Sequence, residues 1–162
     1  MTNKYRPHIL VLPEDDAERQ LANGFILDPG VDQRRIQVLP PAGGWLKVLE
    51  SFEKDHVADL RRCPYRVLVM VIDFDERENR LAQTKSRIAA DLQDRVFLLG
   101  ACGEPEDIKR ALRDIGSLEV IGTALAEECR TDARSLWNRP ELVWNVPELK
   151  RLNAAVKPWL FR

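Results

Sequence analysis

Short runs of apolar residues recur along the chain and are separated by longer, charged stretches. The runs cover residues 8–13, 35–40, 66–73 and 95–100. Apolar runs of this length without regular polar alternation are typical of strands that are buried on both faces. The run at 66–73 is the strongest, because Val and Ile dominate it and both favour strands. We therefore predict four strands at these positions.

The stretches between the runs have helical spacing of apolar residues. Helices are predicted over 15–24, 45–62, 78–92 and 104–115, with Gly24 as the C-terminal cap of the first and Pro105 in the first turn of the last. Strict alternation of strand and helix predicts parallel strands that are joined by right-handed crossovers. The expected fold class is α/β: a three-layer sandwich with a mostly parallel central sheet of four or five strands.

The segment after Gly116 is harder to interpret from its pattern. Residues 118–122 have the composition of a short edge strand, and residues 123–137 have that of a helix. Three of the four tryptophans lie in residues 137–162, interrupted by prolines, and disordered tails are poor in aromatic residues. We predict an α/β domain over 1–122 and a C-terminal helical extension over 123–162 that packs on the same domain.

Composition narrows the classes of function. The chain has 162 residues and a formal net charge of -1, which argues against nucleic-acid binding driven by overall positive charge. Its three cysteines have neither the pairing of a disulfide framework nor the spacing of a zinc site. The apolar runs are too short for a secretory signal or a membrane span. We expect no membrane partner and a cytoplasmic location.

Acidic residues follow two of the predicted strands. Glu14 ends the first run, and Asp73 and Asp75 form an Asp-x-Asp at the end of the third. In open α/β sheets, ligands bind at the carboxyl ends of the strands. Alternate residues of an extended chain share one side, so both aspartates can face one ion while Phe74 turns away. Oxygen ligands of this kind suit Mg²⁺ or Mn²⁺.

With its Gly43-Gly44 turn, this order of elements resembles the topoisomerase-primase (TOPRIM) domain, whose signature is a strand-end Glu and an Asp-x-Asp. The resemblance implies a Mg²⁺-dependent phosphoryl-transfer protein that acts on nucleic acid. It implies a catalytic role for Glu14 and metal binding by Asp73 and Asp75. The nearest branch is that of the overcoming-lysogenization-defect nucleases. Similarity to that branch and to related nucleases adds two metal ligands, Glu18 and Glu104.

Several alternatives remain open. The same acids are common at helix N-termini, where they cap the helix and favour its dipole. The sequence Leu12-Pro13-Glu14-Asp15-Asp16 also resembles the first strand and acidic pair of receiver domains, with Asp73 as the phosphoacceptor. However, Gly100-Ala101-Cys102 lacks the Ser or Thr expected there, and Lys157-Pro158 comes too late in the chain. A third reading is a non-catalytic α/β module that binds a partner protein.

Overall fold

A four-stranded parallel sheet forms the centre of the fold. The computed structural model describes residues 5–74, 78–102 and 105–162. Its strands are β1 (His8–Pro13), β2 (Ile36–Val38), β3 (Arg66–Asp73) and β4 (Val96–Ala101), in the order β2-β1-β3-β4. All three pairings are parallel, so the predicted α/β class is confirmed.

One face of the sheet is covered by the helices that follow β2 and β3. These are α2 (Trp45–Ser51), a π-helical segment (Phe52–His56), α3 (Val57–Arg62) and α4 (Glu78–Ser86). Helices and strands share one apolar cluster on this side. Its fully buried members include Leu68, Met70, Ile72, Phe52 and Leu60.

The opposite face carries α1 (Asp16–Ile26), α6 (Leu118–Thr131) and α7 (Val146–Leu160). A second set of strand residues faces these helices, which completes the three layers. Helix α5 (Pro105–Ala111) packs against α6 in a further apolar cluster. No helix within the described ranges is long and apolar enough to cross a membrane.

Two predicted features differ from the structure. Residues 118–122 are the first turns of α6 and not an edge strand, because Ser117 caps that helix by accepting a hydrogen bond from the Val120 N–H at 3.3 Å. Gly24 is not a C-terminal cap, because α1 continues to Ile26. A Cβ on Gly24 would lie 2.0 Å from the Glu119 carbonyl oxygen of α6, so the glycine permits close packing of two helices.

The outer edge of β4 is paired with side chains from the C-terminal segment. Asn145 is the last residue of a 3₁₀ turn (Val143–Asn145). Its Oδ1 accepts a hydrogen bond from the Gly100 N–H at 2.8 Å, and its Nδ2 donates one to the Gly100 carbonyl at 2.6 Å. Two turns of α7 continue the pattern: Glu148 accepts the Leu98 N–H at 3.0 Å, and Arg151 donates to the Val96 carbonyl at 2.9 Å. These side chains satisfy backbone groups that a fifth strand would otherwise pair.

Candidate functional site

The two central strands end at the point where the chain reverses its direction across the sheet. From β1 the chain crosses outward to β2, and then returns past β1 to form β3 and β4. In open α/β sheets such a switch point leaves a crevice at the carboxyl ends of the strands, and ligands bind there. Glu14 directly follows β1, and Asp73 is the last residue of β3.

Glu14 connects the two strand ends. Its Oε2 accepts a hydrogen bond from the Asp73 N–H at 2.7 Å, and its own N–H donates to the Val71 carbonyl at 2.9 Å. The Glu14 side chain is buried, with 7% of the residue surface exposed. The residue therefore continues the pairing of β1 with β3 beyond the last strand residue and turns its carboxylate back toward Asp73.

The Gly43-Gly44 turn holds the Glu14 backbone from the other side. The N–H groups of Gly43 and Gly44 both point at the Glu14 carbonyl oxygen, at 2.8 and 3.3 Å. Both glycines have positive φ, 94° and 141°, where a side chain would be strained. The glycine pair therefore holds the main chain of Glu14 in place. Helix α2 begins directly after Gly44.

Burial and neighbouring charges act together on the Glu14 carboxyl. Its pKa is raised above the ordinary value, chiefly because burial disfavours the charged form, and the Asp73 and Asp15 carboxylates add to this rise. The hydrogen bond from the Asp73 N–H and the positive charge of Arg80 act in the opposite direction. We call Glu14, Asp15, Glu18 and Asp73 the acidic edge.

Glu18 lies one helical turn further along, on the buried side of α1. It is 3% exposed, and its Oε2 accepts the Asp15 N–H at 3.2 Å, the arrangement of a capping box. Burial raises its pKa to about 7, and the Glu14 and Asp15 carboxylates contribute to that rise. The Glu18 carboxyl therefore holds a proton more tightly than an exposed glutamate does.

Arg80 brings a positive charge to the acidic edge from α4. Its Nη1 donates to the Asp73 carbonyl at 2.7 Å, and its guanidinium lies 4.9 Å from the ring centre of Trp45. Trp45 is itself held by a hydrogen bond from Nε1 to Thr84 Oγ1 at 2.7 Å. Arg80 lies in the helix predicted over 78–92 together with other basic residues, and the sequence pattern does not distinguish Arg80 from them.

Two other basic residues of the helix predicted over 78–92 have partners elsewhere. Arg87 pairs with Glu53 at 2.7 Å, and Lys85 lies 3.9 Å from Glu148. Only contacts across the fold distinguish Arg80 from them, which is why composition alone could not identify it.

The other predicted ligands are distributed as follows. Asp75 and Glu104 lie outside the described residues. Phe74 points away from the acidic edge into the core, is 1% exposed, and has its ring 6.3 Å from that of Trp144. Within 5–74, 78–102 and 105–162, no three His, Cys, Asp or Glu side chains are grouped in a way that could hold a metal ion. The described carboxylates alone thus do not complete a metal site.

Comparison of the chain with models of protein families, with curated proteins and with solved structures finds no match.

Proposed function

We propose that the chain is a Mg²⁺-dependent phosphoryl-transfer protein of the nuclease type that acts on nucleic acid in the cytoplasm. One observation carries the proposal: Glu14 and Asp73 come from separate strands and meet at the switch point, with Glu14 Oε2 2.7 Å from the Asp73 nitrogen. The metal site of this proposal includes Asp75, and in its two-ion form Glu18 and Glu104. Mn²⁺ is the expected substitute for Mg²⁺.

The described side chains have distinct roles in this proposal. A bound Mg²⁺ would neutralise phosphate charge and favour ionised carboxylates. Glu18, whose pKa is about 7, is suited to accept or release a proton at neutral pH. Glu14 holds the ends of β1 and β3 together and presents a carboxylate beside that of Asp73. Arg80 supplies a fixed positive charge, which is appropriate for orienting a phosphate.

Metal titration of paired variants tests the proposal. Mn²⁺ binding is measured by isothermal titration calorimetry for the wild type, Asp73→Asn, and Asp94→Asn as a matched control on an exposed residue. We expect Asp73→Asn to weaken binding at least roughly tenfold and the control to leave it unchanged. Cleavage of single-stranded and plasmid DNA with Mg²⁺ is then compared in the same proteins. Equal Mn²⁺ affinity in wild type and Asp73→Asn would refute the proposal.

A receiver-like phosphoacceptor is the second candidate, and the strand order favours it. The order β2-β1-β3-β4 matches the first four strands of the doubly wound sheets with order 2-1-3-4-5, to which receivers belong. In that case Asp73 would be the phosphoacceptor. Two contacts count against it: Asp16 faces solvent and accepts from Arg19 Nε at 2.8 Å, and Lys157 donates to Asp132 at 2.6 Å.

Phosphorylation chemistry separates the two candidates. The protein is incubated with acetyl phosphate and Mg²⁺, and intact mass is recorded before and after brief treatment with base. If the protein is a receiver, the wild type gains one phosphoryl group on Asp73, and base removes that group. The Asp73→Asn variant gains no phosphoryl group. Absence of that adduct in the wild type would exclude the receiver function and leave the metal titration to decide the first proposal.

A further inference from the structure

An apolar cavity lies between the sheet and the helices α1, α6 and α7. Its volume is about 110 Å³. The floor includes Val71 and Leu99, which are paired in register on the neighbouring strands β3 and β4. Val71 and Leu99 are only partly buried. Their chain neighbours Ile72, Leu98 and Gly100 are buried. Helical packing therefore leaves the centre of this sheet face partly uncovered.

The walls of the cavity are apolar. Ile9 and Val11 of β1 and Val69 of β3 extend the floor, and apolar residues of the three helices complete the enclosure. The helical residues of the lining include Leu21, Ala22, Phe25, Leu125, Leu149 and Val156.

Three of the polar side chains in the lining have hydrogen-bond partners. Asn145 is bonded to both backbone groups of Gly100, and Glu18 accepts the Asp15 N–H. The Trp137 Nε1–H donates to the Leu125 carbonyl at 3.3 Å. Among the described residues, the buried side-chain polar atom without a hydrogen-bond partner is Arg130 Nε; it lies 3.5 Å from Asp28 Oδ1, and Arg130 does not line the cavity.

A cavity with this lining favours an apolar occupant over water. A buried water needs two to four polar partners, and an apolar cavity of about 150 Å³ stays dry and binds benzene. Here Glu18, Trp137 and Asn145 already have partners and the rest of the lining is mainly apolar, so water would gain little. Conversely, an apolar molecule would cover Val71 and Leu99 and replace the dispersion contacts that the helices do not make.

We propose that the cavity is a binding site for a small, uncharged, apolar molecule of about the size of a benzene ring. Glu18 belongs to both the cavity wall and the acidic edge, so the two sites are adjacent. The inference does not rest on the proposed function, because it depends on the apolar lining and not on metal or phosphate binding.

Methyl NMR with benzene as the probe tests the inference. The Val71 and Leu99 methyl signals are followed during titration with benzene and, separately, with 1,4-dioxane, a ring of similar size that brings two unpaired acceptors. We expect saturable shifts with benzene and roughly tenfold weaker binding of dioxane, because burying an acceptor without a partner is unfavourable. Absence of saturable shifts with benzene, or equal affinity for dioxane, would overturn the inference.

Two leucine substitutions provide matched variants. Ala22→Leu places a larger side chain in the cavity from α1, whereas Ala58→Leu makes the same change at an exposed position of α3. Benzene should still shift the methyl signals and raise the melting temperature of Ala58→Leu, and should do neither in Ala22→Leu. Equal binding by both variants would contradict the location. If Ala22→Leu does not fold, the benzene and dioxane titrations of the wild type still decide the question.

Discussion

One carboxylate oxygen of Glu14 accepts a hydrogen bond from the backbone N–H of Asp73 at 2.7 Å. The contact joins the ends of two strands that lie 59 residues apart in sequence. Glu14 thus has a structural role in addition to any chemical one. A substitution of Glu14 that is meant to test its chemical role therefore has to keep a side-chain acceptor for the Asp73 N–H.

Glu14→Gln and Glu14→Ala separate the two roles. Gln keeps a carbonyl acceptor for the Asp73 N–H, whereas Ala leaves that group without its partner, which costs about 1–3 kcal/mol. We expect urea unfolding at pH 7 to show the loss for Ala and a change within about 1 kcal/mol for Gln. Equal destabilisation by the two variants would show that the charge of Glu14, and not its acceptor, maintains the strand ends.

Glu18 should make the stability of the protein depend on pH. Its pKa is raised in the folded protein to about 7 from 4.5, so the folded state binds the proton more tightly than the unfolded state. The resulting stabilisation is complete below pH 4.5 and is lost as the pH rises through about 7. By pH 8.5 the loss amounts to roughly 3 kcal/mol.

Glu18→Gln removes this dependence, because the amide does not ionise. We expect unfolding free energies of Glu18→Gln and wild type to agree near pH 4.5, with the variant more stable by up to roughly 3 kcal/mol at pH 8.5. Glu127→Gln, an exposed position on α6, serves as the control and should follow the wild type at both values. A difference of the same size at both pH values would contradict the prediction.

Gly24→Ala should destabilise the protein, although alanine is the better helix former. The new Cβ would lie 2.0 Å from the Glu119 carbonyl oxygen, so α1 and α6 would have to move apart. Such overpacking costs about 1–3 kcal/mol or more, against a gain of about 1 kcal/mol in helix propensity. Asn23→Ala on the same helix should be neutral or slightly stabilising. Thermal and urea unfolding check both variants, and a stabilised Gly24→Ala would refute the close helix contact.

Asn145→Ala tests whether the C-terminal segment stabilises the outer edge of β4, and we expect this variant to be destabilised. The substitution leaves the buried N–H and carbonyl of Gly100 without partners, at a cost of about 1–3 kcal/mol for each group. Asn138→Ala, at an exposed position, is the matched control. Urea unfolding gives the energies, and hydrogen exchange at Gly100 should accelerate only in Asn145→Ala. Unchanged exchange there would contradict the pairing.

The sequence predicted the strands well because burial on both faces leaves a strong apolar signal. Residues 66–73 match β3 throughout, and residues 8–13 match β1. The predicted helix over 78–92 is instead a shorter helix followed by a 3₁₀ turn (Ala90–Leu92). Residues 118–122 were predicted wrongly, because Val and Ile also favour strands and the cap from Ser117 decides the outcome.

For the candidate site, the sequence predicted the position better than the contacts. Parallel alternation was sufficient to expect Glu14 and Asp73 at one edge of the sheet. The role of Arg80 was not predictable in this way, because its hydrogen bond to the Asp73 carbonyl depends on how α4 returns across the sheet. The raised pKa of Glu18 likewise depends on its burial on the inner side of α1, which the charged sequence around it does not reveal.

The side chains that cover β4 are encoded well after the strand they protect. Asn145 lies 45 residues beyond Gly100, and Glu148 lies 50 residues beyond Leu98. During synthesis, β4 can pair with β3 before these partners leave the ribosome, and its outer backbone groups stay open in that interval. An open strand edge is a template for pairing with another chain. Shortening the chain before Asn145 should therefore yield aggregates that grow by strand addition at β4.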